Sequence, residues 1–426
     1  RCSMKAQTIF LHDYAGHPFQ AELSRALAAR GHRVIHAFFA GDLGPTGDLQ
    51  WKPGDPETLS FAPIGIDAAY VKGNLFKRRF LDLRYGRAAG EAIAAAKPDI
   101  VISGNTPTEA QEDVIHATKA AGAKFVFWCQ DFYSVAVSKL AAKKLPVVGA
   151  LIGRYYTALE RAQMRASDGI VLITEDFKPL ALSWGVAGER LHVVPNWGAI
   201  DQLPVLAKDN AWAREHGLAD KKVFLYSGTI GFKHNPDLLA ALAQRHAGDP
   251  DVRVVVVAAG VGVKRLEERK AEHKLDNLLL LGLQPFNRFP EVLAAADVLT
   301  AVIERDAGAF SVPSKVLSYL CAGRAILLAA PKENLAAKIA NEVKAGLVVD
   351  PDDEQAWLAA ASNLLTRADL RAEMAQAGRR YAERNFDISR VADRFEAVFA
   401  AAAGYAPGTK PAAARLERGE LTPSAT

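Results

Sequence analysis

Two successive series of near-continuous apolar strands, separated by stretches of helical spacing, limit this chain more than any other feature. The first series is 8–11, 32–39, 99–103, 124–128, 169–173 and 192–195; the second is 223–226, 252–257, 278–281, 298–303, 325–328 and 347–349. Runs such as Val254-Val-Val-Val257 lack the apolar–polar alternation of a half-exposed strand. They suit strands buried on both faces, in a parallel sheet covered by helices. Between them, Phe19, Leu23 and Leu27 show helix periodicity before a stop at Gly31, and helices are predicted near 75–96 and 108–121. Residues 41–67, rich in Gly, Pro and Asp, read as one long loop. A chain of 426 residues exceeds a single core. The expected architecture is α/β, with two doubly wound Rossmann-like domains facing across a cleft. The first spans 4–200 and the second 201–385. An amphipathic helix is expected at 386–403, and 404–426 reads as a disordered tail. Residues from Asn196-Trp197-Gly198 to about 220 form the linker. Such a pair places its ligand at the carboxyl ends of both sheets.

Two stretches of the second half suit an anion. In Ser311-Val-Pro-Ser-Lys-Val-Leu-Ser-Tyr-Leu-Cys-Ala-Gly323, Ser311 is a plausible N-cap, Pro313 fits the first turn and Gly323 ends the helix. Ser311, Ser314 and Lys315 gather where free N–H groups and the positive dipole end attract negative charge. Alone, the stretch reads more readily as an ordinary capped helix with a solvated lysine. Earlier, Tyr226-Ser-Gly-Thr-Ile-Gly-Phe-Lys-His-Asn235 leaves a strand and enters a helix. Gly228 and Gly231 let backbone approach a bound group, with Lys233 beside them. The spacing fits neither the Walker loop nor the dinucleotide fingerprint.

In this order, with "RALAARGHRV" after Gly16-His17, "LERAQMRASDGIVLITEDF", "VVPNWG", "LLLLGLQPF" and "LAAADV", the chain resembles the GT-B glycosyltransferases of the retaining family 4. "PNW", "YSG" and "VPSK" look most like the bacterial fucosyl- and N-acetylfucosaminyl-type transferases of capsule, O-antigen and exopolysaccharide assembly. The resemblance implies a nucleotide-diphosphate-sugar donor against the second domain and a glycan or lipid-diphosphate-linked acceptor against the first, with no metal required, and a helix at 386–403 that crosses back to the first domain. It implies that Gly228, Gly231 and Lys233 face the diphosphate, and that Leu281, Gly282 and Pro285 face the base. Ser311, Ser314, Lys315 and Ser318 hold phosphate or ribose, while Gly16 and His17 approach from the first domain. Asp131, after the strand 124–128, stands where relatives place a His or Asp facing the sugar; a helix-capping role is the equal alternative. Asp13 is a weaker candidate of the same kind. Arg305 and Arg324 are candidate reinforcements for the phosphates. The chain departs from the family at Phe310 and Ser318, where two glutamates are the rule. That departure keeps an inactive binding subunit open as a rival, beside a nucleotide-sugar epimerase or a phosphorylase.

Asp350-Pro-Asp352 spells a metal-binding triplet, but its place between a strand and a helix suits turn and cap chemistry. The ten histidines include no pair at zinc-site spacing that also offers a third ligand. Three scattered cysteines (Cys2, Cys129, Cys321) fit a reducing cytoplasm. Residues 70–170 hold 15 Lys and Arg against 9 Asp and Glu. That excess, with the amphipathic stretch 140–165, suits a solvated helix face or an anionic membrane surface, and the resemblance to enzymes that extend lipid-diphosphate-linked glycans favours peripheral contact with the inner membrane leaflet. A nucleic-acid partner is not expected, because no aromatic platform or recognition motif accompanies the charge.

Overall fold

The computed structural model describes residues 5–41, 46–66, 75–144, 146–231, 234–305 and 314–404. The tail beyond 404, Ser311, Phe310 and Lys233 therefore lie outside the described residues.

The first domain holds β1 (Thr8–Asp13), α1 (Pro18–Ala29), β2 (Arg33–Phe39), β3 (Leu59–Ile64), α2 (Leu75–Ala96), β4 (Ile100–Gly104) and α3 (Thr108–Ala120). It continues through β5 (Lys124–Cys129), α4 (Tyr133–Lys144), α5 (Pro146–Ala166), β6 (Gly169–Leu172), α6 (Lys178–Ser183) and β7 (Leu191–Val193). Its parallel sheet runs β3-β2-β1-β4-β5-β6-β7. After a linker with α7 (Ala211–Glu215) come β8 (Lys222–Thr229), α8 (Asp237–Arg245), β9 (Val252–Ala259), α9 (Val261–His273) and β10 (Leu278–Leu281). Then follow α10 (Phe289–Ala294), β11 (Val298–Val302), α11 (Ser314–Ala322), β12 (Ala325–Ala329), α12 (Leu335–Val343) and β13 (Gly346–Val349). The helices α13 (Glu354–Thr366), α14 (Ala368–Asn385) and α15 (Ile388–Ala402) close the chain. The second sheet, also parallel, runs β10-β9-β8-β11-β12-β13.

Strand order reverses between β1 and β4 in one sheet and between β8 and β11 in the other. Such switch points leave a crevice at the strands' carboxyl ends. The expected two-domain α/β class holds, and its apolar runs form the centres of both sheets, with Ile9, Leu11, Val255 and Leu299 fully buried.

One element corrects the sequence reading. Residues 41–67 are not a single loop, because 59–64 form β3, paired in parallel with β2 from Val34↔Leu59 to Phe39↔Ile64. Pro63 and the short apolar content hid it. An edge strand bonds on one side only, so it tolerates a proline that an inner strand would not.

The last helix returns to the first domain. Val391, Phe395, Val398 and Phe399 of α15 are buried, with Phe395 set edge-on to Trp128 at 4.8 Å. Arg30 at the end of α1 donates to Asp393 (2.7 Å), Glu396 (2.6 Å) and the Ser389 carbonyl (2.6 Å). His32 Nε2 lies 3.1 Å from Glu396.

Candidate functional site

The two switch points face each other across a cavity of about 800 Å³, with walls from both domains. A wider groove of about 1310 Å³ lies alongside, on the β3 side, but does not reach Lys315.

The second-domain wall starts at the end of β8. Gly228 has φ +124°, a conformation that L side chains rarely adopt, and a β-carbon there would come within 3.3 Å of the Lys315 Cε. α11 is anchored by Tyr319, whose hydroxyl accepts the Ser227 N–H (3.1 Å) and donates to the Thr300 carbonyl (3.1 Å). That anchoring fixes Lys315 in the first turn of α11. Its Nζ donates to Tyr226 Oη (2.9 Å), which itself donates to the Thr229 carbonyl (2.8 Å). The same Nζ lies 4.8 Å from the Tyr226 ring centre and 3.3 Å from His234 Nε2. His234 is oriented by the Gly231 N–H, which donates to its Nδ1 at 3.0 Å. Burial lowers the Lys315 ammonium to about 8. No carboxylate is present among the described lining residues to restore it. An incoming diphosphate would supply that missing charge.

Lys315 thus holds its proton below about pH 8 and loses it above. Affinity for a diphosphate is expected to fall as the pH rises through 8, and Lys315→Arg, which stays charged, should abolish the step. Titration calorimetry with uridine diphosphate at about pH 7 and about pH 9 reads this directly. An equal affinity at both values in the unaltered protein would show that Lys315 makes no contact with the phosphates.

Deeper in the cavity, Leu283, Gln284, Pro285, Phe286 and Phe289 form an apolar slot with Val257 of β9 and Val292 of α10. Gln284 is held by the Trp212 indole N–H (3.2 Å) and by its own donation to the Gly282 carbonyl (3.0 Å). The sequence reading put the base at Leu281, Gly282 and Pro285. Only Pro285 lines the slot, which begins two residues later than the strand end suggests.

From the first domain come Ala15, His17, Pro18 and Phe19. Asp13 is fully buried behind them. Its carboxylate accepts the backbone N–H groups of Ala15 and His17, and its Oδ1 lies 3.3 Å from His17 Nδ1. Asp13 is therefore a positioning residue for His17, not a group that meets a sugar. With Nδ1 committed to Asp13, His17 Nε2 is the nitrogen left for a ligand. Asn105, at φ +58°, has its amide 3.5 Å from the same ring. Gly16 (φ +71°) is required for another reason than donor approach. Its carbonyl accepts the Gly47 N–H at 2.8 Å, and a β-carbon would meet Leu49 at 2.7 Å.

Several further expectations find a place. Ser314, Lys315 and Ser318 line the cavity, Ser318 presenting an uncharged hydroxyl where the family pattern has glutamate. Gly231 lies behind it and orients His234. Asp131 is not among the cavity-lining residues, and it does not bind the first N–H groups of α4. Those of Tyr133 and Ser134 go to Glu160, at 3.1 Å each. Arg305 and Arg324 are occupied elsewhere. Arg305 is paired with Asp350 (2.5 Å) and Asp352 (2.6 Å), so the acidic triplet grips an arginine. Arg324 donates to the carbonyls of Leu206, Ala294 and Ala296, pinning the linker to the second domain. Arg305→Ala should therefore leave diphosphate affinity within about 0.5 kcal/mol of the unaltered protein; a larger loss in calorimetry would return Arg305 to the site.

Sequence reasoning missed Tyr226, His234 and the cavity floor formed by Trp197, Gly198, Ala199 and Leu203. "YSG" and "PNW" carried the signal for Tyr226 and Trp197, but not what either touches. Trp197 donates to Glu22 at 2.8 Å, and burial raises that carboxyl to about 8.

A Glycosyl transferase 4-like domain matches residues 16–197, and Glycosyl transferases group 1 matches residues 208–381. The chain is 28% identical over 281 residues to a putative colanic acid biosynthesis glycosyl transferase, WcaI, of Escherichia coli K12, covering 65% of this chain and 68% of that one. Among solved structures it is similar to Anabaena HepE in complex with UDP-glucose (TM-score 0.67, 14% identity, 92% of this chain and 99% of that one). It is similar also to WaaG, a glycosyltransferase involved in lipopolysaccharide biosynthesis (TM-score 0.64, 17% identity, 92% and 98%). These structural likenesses bear on the fold.

Proposed function

We propose that this chain, whose first half matches a glycosyl transferase 4-like domain and whose second half matches the group 1 glycosyltransferases, moves a sugar from a nucleotide-diphosphate donor to a polysaccharide or lipid-linked oligosaccharide. The observation that carries this reading is Lys315. It is a half-buried ammonium with no carboxylate partner among the described lining residues, in the first turn of a helix and beside Gly228, whose β-carbon position lies 3.3 Å from its Cε. Preorganised cations and N–H groups in a partly closed cavity stabilise the charge that grows on a departing diphosphate. No metal is needed in this reading.

The slot from Leu283 to Phe289 takes the base, the Gly228 backbone and Lys315 take the diphosphate, and the sugar turns toward His17. The C1–O bond to the β-phosphate breaks while the acceptor oxygen bonds C1 on the same face. The acceptor's proton passes to the departing phosphate oxygen, giving retention without a side-chain nucleophile. Uridine diphosphate sugars are the first donors to try, since HepE is solved with one. The subgroup motifs add 6-deoxyhexoses, and the likeness to the colanic acid transferase supports an exopolysaccharide acceptor. A cytoplasmic site of action, at the membrane face for a lipid-linked acceptor, completes the reading. Among the described residues no helix is long and apolar enough to cross a membrane.

Incubation with UDP-, GDP- and ADP-sugars and lipid-diphosphate or glycan acceptors, read by mass spectrometry and by the anomeric NMR signal, tests it. A glycosylated acceptor with the donor's anomeric configuration is expected. Isomerised donor, or binding without transfer across the panel, would overturn the proposal.

A further inference from the structure

Two donors meet the His234 imidazole, and a neutral imidazole can accept from only one of them. The Gly231 N–H points at Nδ1 (3.0 Å), and the Lys315 ammonium stands 3.3 Å from Nε2. One of the two ring nitrogens must carry the proton. The backbone bond decides which. It is the shorter of the two, and it is reciprocated by the His234 N–H, which donates to the Gly231 carbonyl at 3.2 Å. A peptide N–H cannot turn away from its acceptor. The ammonium can turn its protons, and it already has an acceptor in Tyr226 Oη at 2.9 Å. Nδ1 is therefore the bare nitrogen, and Nε2 carries an N–H.

That assignment sets two donors side by side on one wall of the cavity, with neither able to accept from the other. The ring is held in this position. It meets the Tyr226 ring edge-on at 6.4 Å, and the reciprocal pair with Gly231 fixes its root. Immediately after it, Asn235 turns the chain into α8, its Oδ1 accepting the Asp237 N–H at 3.0 Å. An anionic oxygen about 2.8 Å from each nitrogen, the usual length of a charge-assisted bond, would complete a triangle on the 3.3 Å edge.

We propose that His234 is a second binding residue for the donor's diphosphate, its Nε2–H and the Lys315 ammonium closing on one phosphate oxygen, a role that rests on the donor reading given above. The imidazole supplies the departing phosphate with a fixed, uncharged donor. Oriented donors of this kind stabilise charge as it grows without a second cation having to be desolvated.

Titration calorimetry with uridine diphosphate on three variants tests the proposal, because asparagine and glutamine divide the functions of the ring. His234→Asn keeps an acceptor near the Nδ1 position for the Gly231 N–H and removes the outer donor; His234→Gln keeps an N–H near the Nε2 position. His234→Asn and His234→Ala should each lower affinity roughly tenfold or more, and His234→Gln should recover most of the loss. The reverse order, with asparagine tolerated and glutamine not, would mean that the ring only orders the turn, and overturns the proposal. Nitrogen NMR of the histidine-labelled protein gives a second reading. The His234 signals, identified by their absence from the asparagine variant, should show a bare Nδ1 and a protonated Nε2 whose resonance moves when uridine diphosphate is added. A proton on Nδ1 overturns the proposal. Lys315→Ala, measured alongside, separates the two readings. If it weakens binding while all three His234 variants bind normally, the donor site stands and the role of His234 falls; if the unaltered protein does not bind uridine diphosphate, both fall.

Discussion

Lys315→Ala is expected to weaken binding of uridine diphosphate by about 1.5–3 kcal/mol, the range for hydrogen bonds to charged groups. In dissociation constant that is roughly 10- to 150-fold. The size follows from the setting. Among the described lining residues, Lys315 is the only lysine or arginine, and it meets the Tyr226 hydroxyl and the His234 ring. No second lysine or arginine of that lining is there to take over its charge when it is removed. The alanine variant should fold normally, because the network behind it, Tyr226 to the Thr229 carbonyl and Tyr319 to β8, does not pass through the lysine. Calorimetry on the variant and on Lys315→Arg is decisive. Unchanged affinity in the alanine variant would mean that the diphosphate lies elsewhere in the cleft. Lys233, the other cation of the motif, carries the same expectation on its sequence position alone.

Trp197→Ala should cost about 3–5 kcal/mol of stability, the range for removing a large buried aromatic side chain. Trp197 is 1% exposed and meets Phe19 edge-on at 5.1 Å, Trp128 in a stack at 6.1 Å and Phe395 at 6.0 Å. It therefore joins α1, β5 and α15 at the point where the chain leaves the first domain. The substitution also strips Glu22 of its N–H donor. Burial has already raised that carboxyl to about 8, so the native state keeps a proton that the unfolded chain loses above its ordinary carboxylate range. Stability contributed by this group is present at low pH and declines as pH rises from about 4.5 to about 8. Loss of the donor favours the neutral acid further and should push the upper end of that window higher. Urea unfolding of Trp197→Ala and Trp197→Phe at several pH values checks both parts. A loss below about 1 kcal/mol in the alanine variant would contradict the buried junction.

Much of this was readable before any coordinates. Uninterrupted Val, Ile and Leu runs announce inner parallel strands because nothing else buries both faces of so short a segment. β3 escaped because an edge strand asks little of its sequence, and Leu59–Ile64 carries a proline where an inner strand would lose a ladder bond. Ser314, Lys315 and Pro285 were legible in local motifs, since a helix mouth and a βα turn shape their surroundings within a few residues. Roles set by distant partners were not. Nothing near Asp131 announces that Glu160 binds the opening of α4. Nothing near Arg324 announces that the carbonyls of Leu206, Ala294 and Ala296 will occupy it. Asp13 looked like a cleft carboxylate and is instead the support of His17, because its backbone partners turn both of its oxygens inward.

The return of α15 to the first domain bears on how the chain is made. Phe395, Val398 and Phe399 belong to the same buried cluster as Trp128 and Ile170, yet they are synthesised more than two hundred residues later. The first domain thus leaves the ribosome with an apolar face over β5 and β6 uncovered, and stays so while the whole second domain is translated. A chain cut short before Ile388 is expected to present that face to chaperones and proteases, however well each sheet had formed.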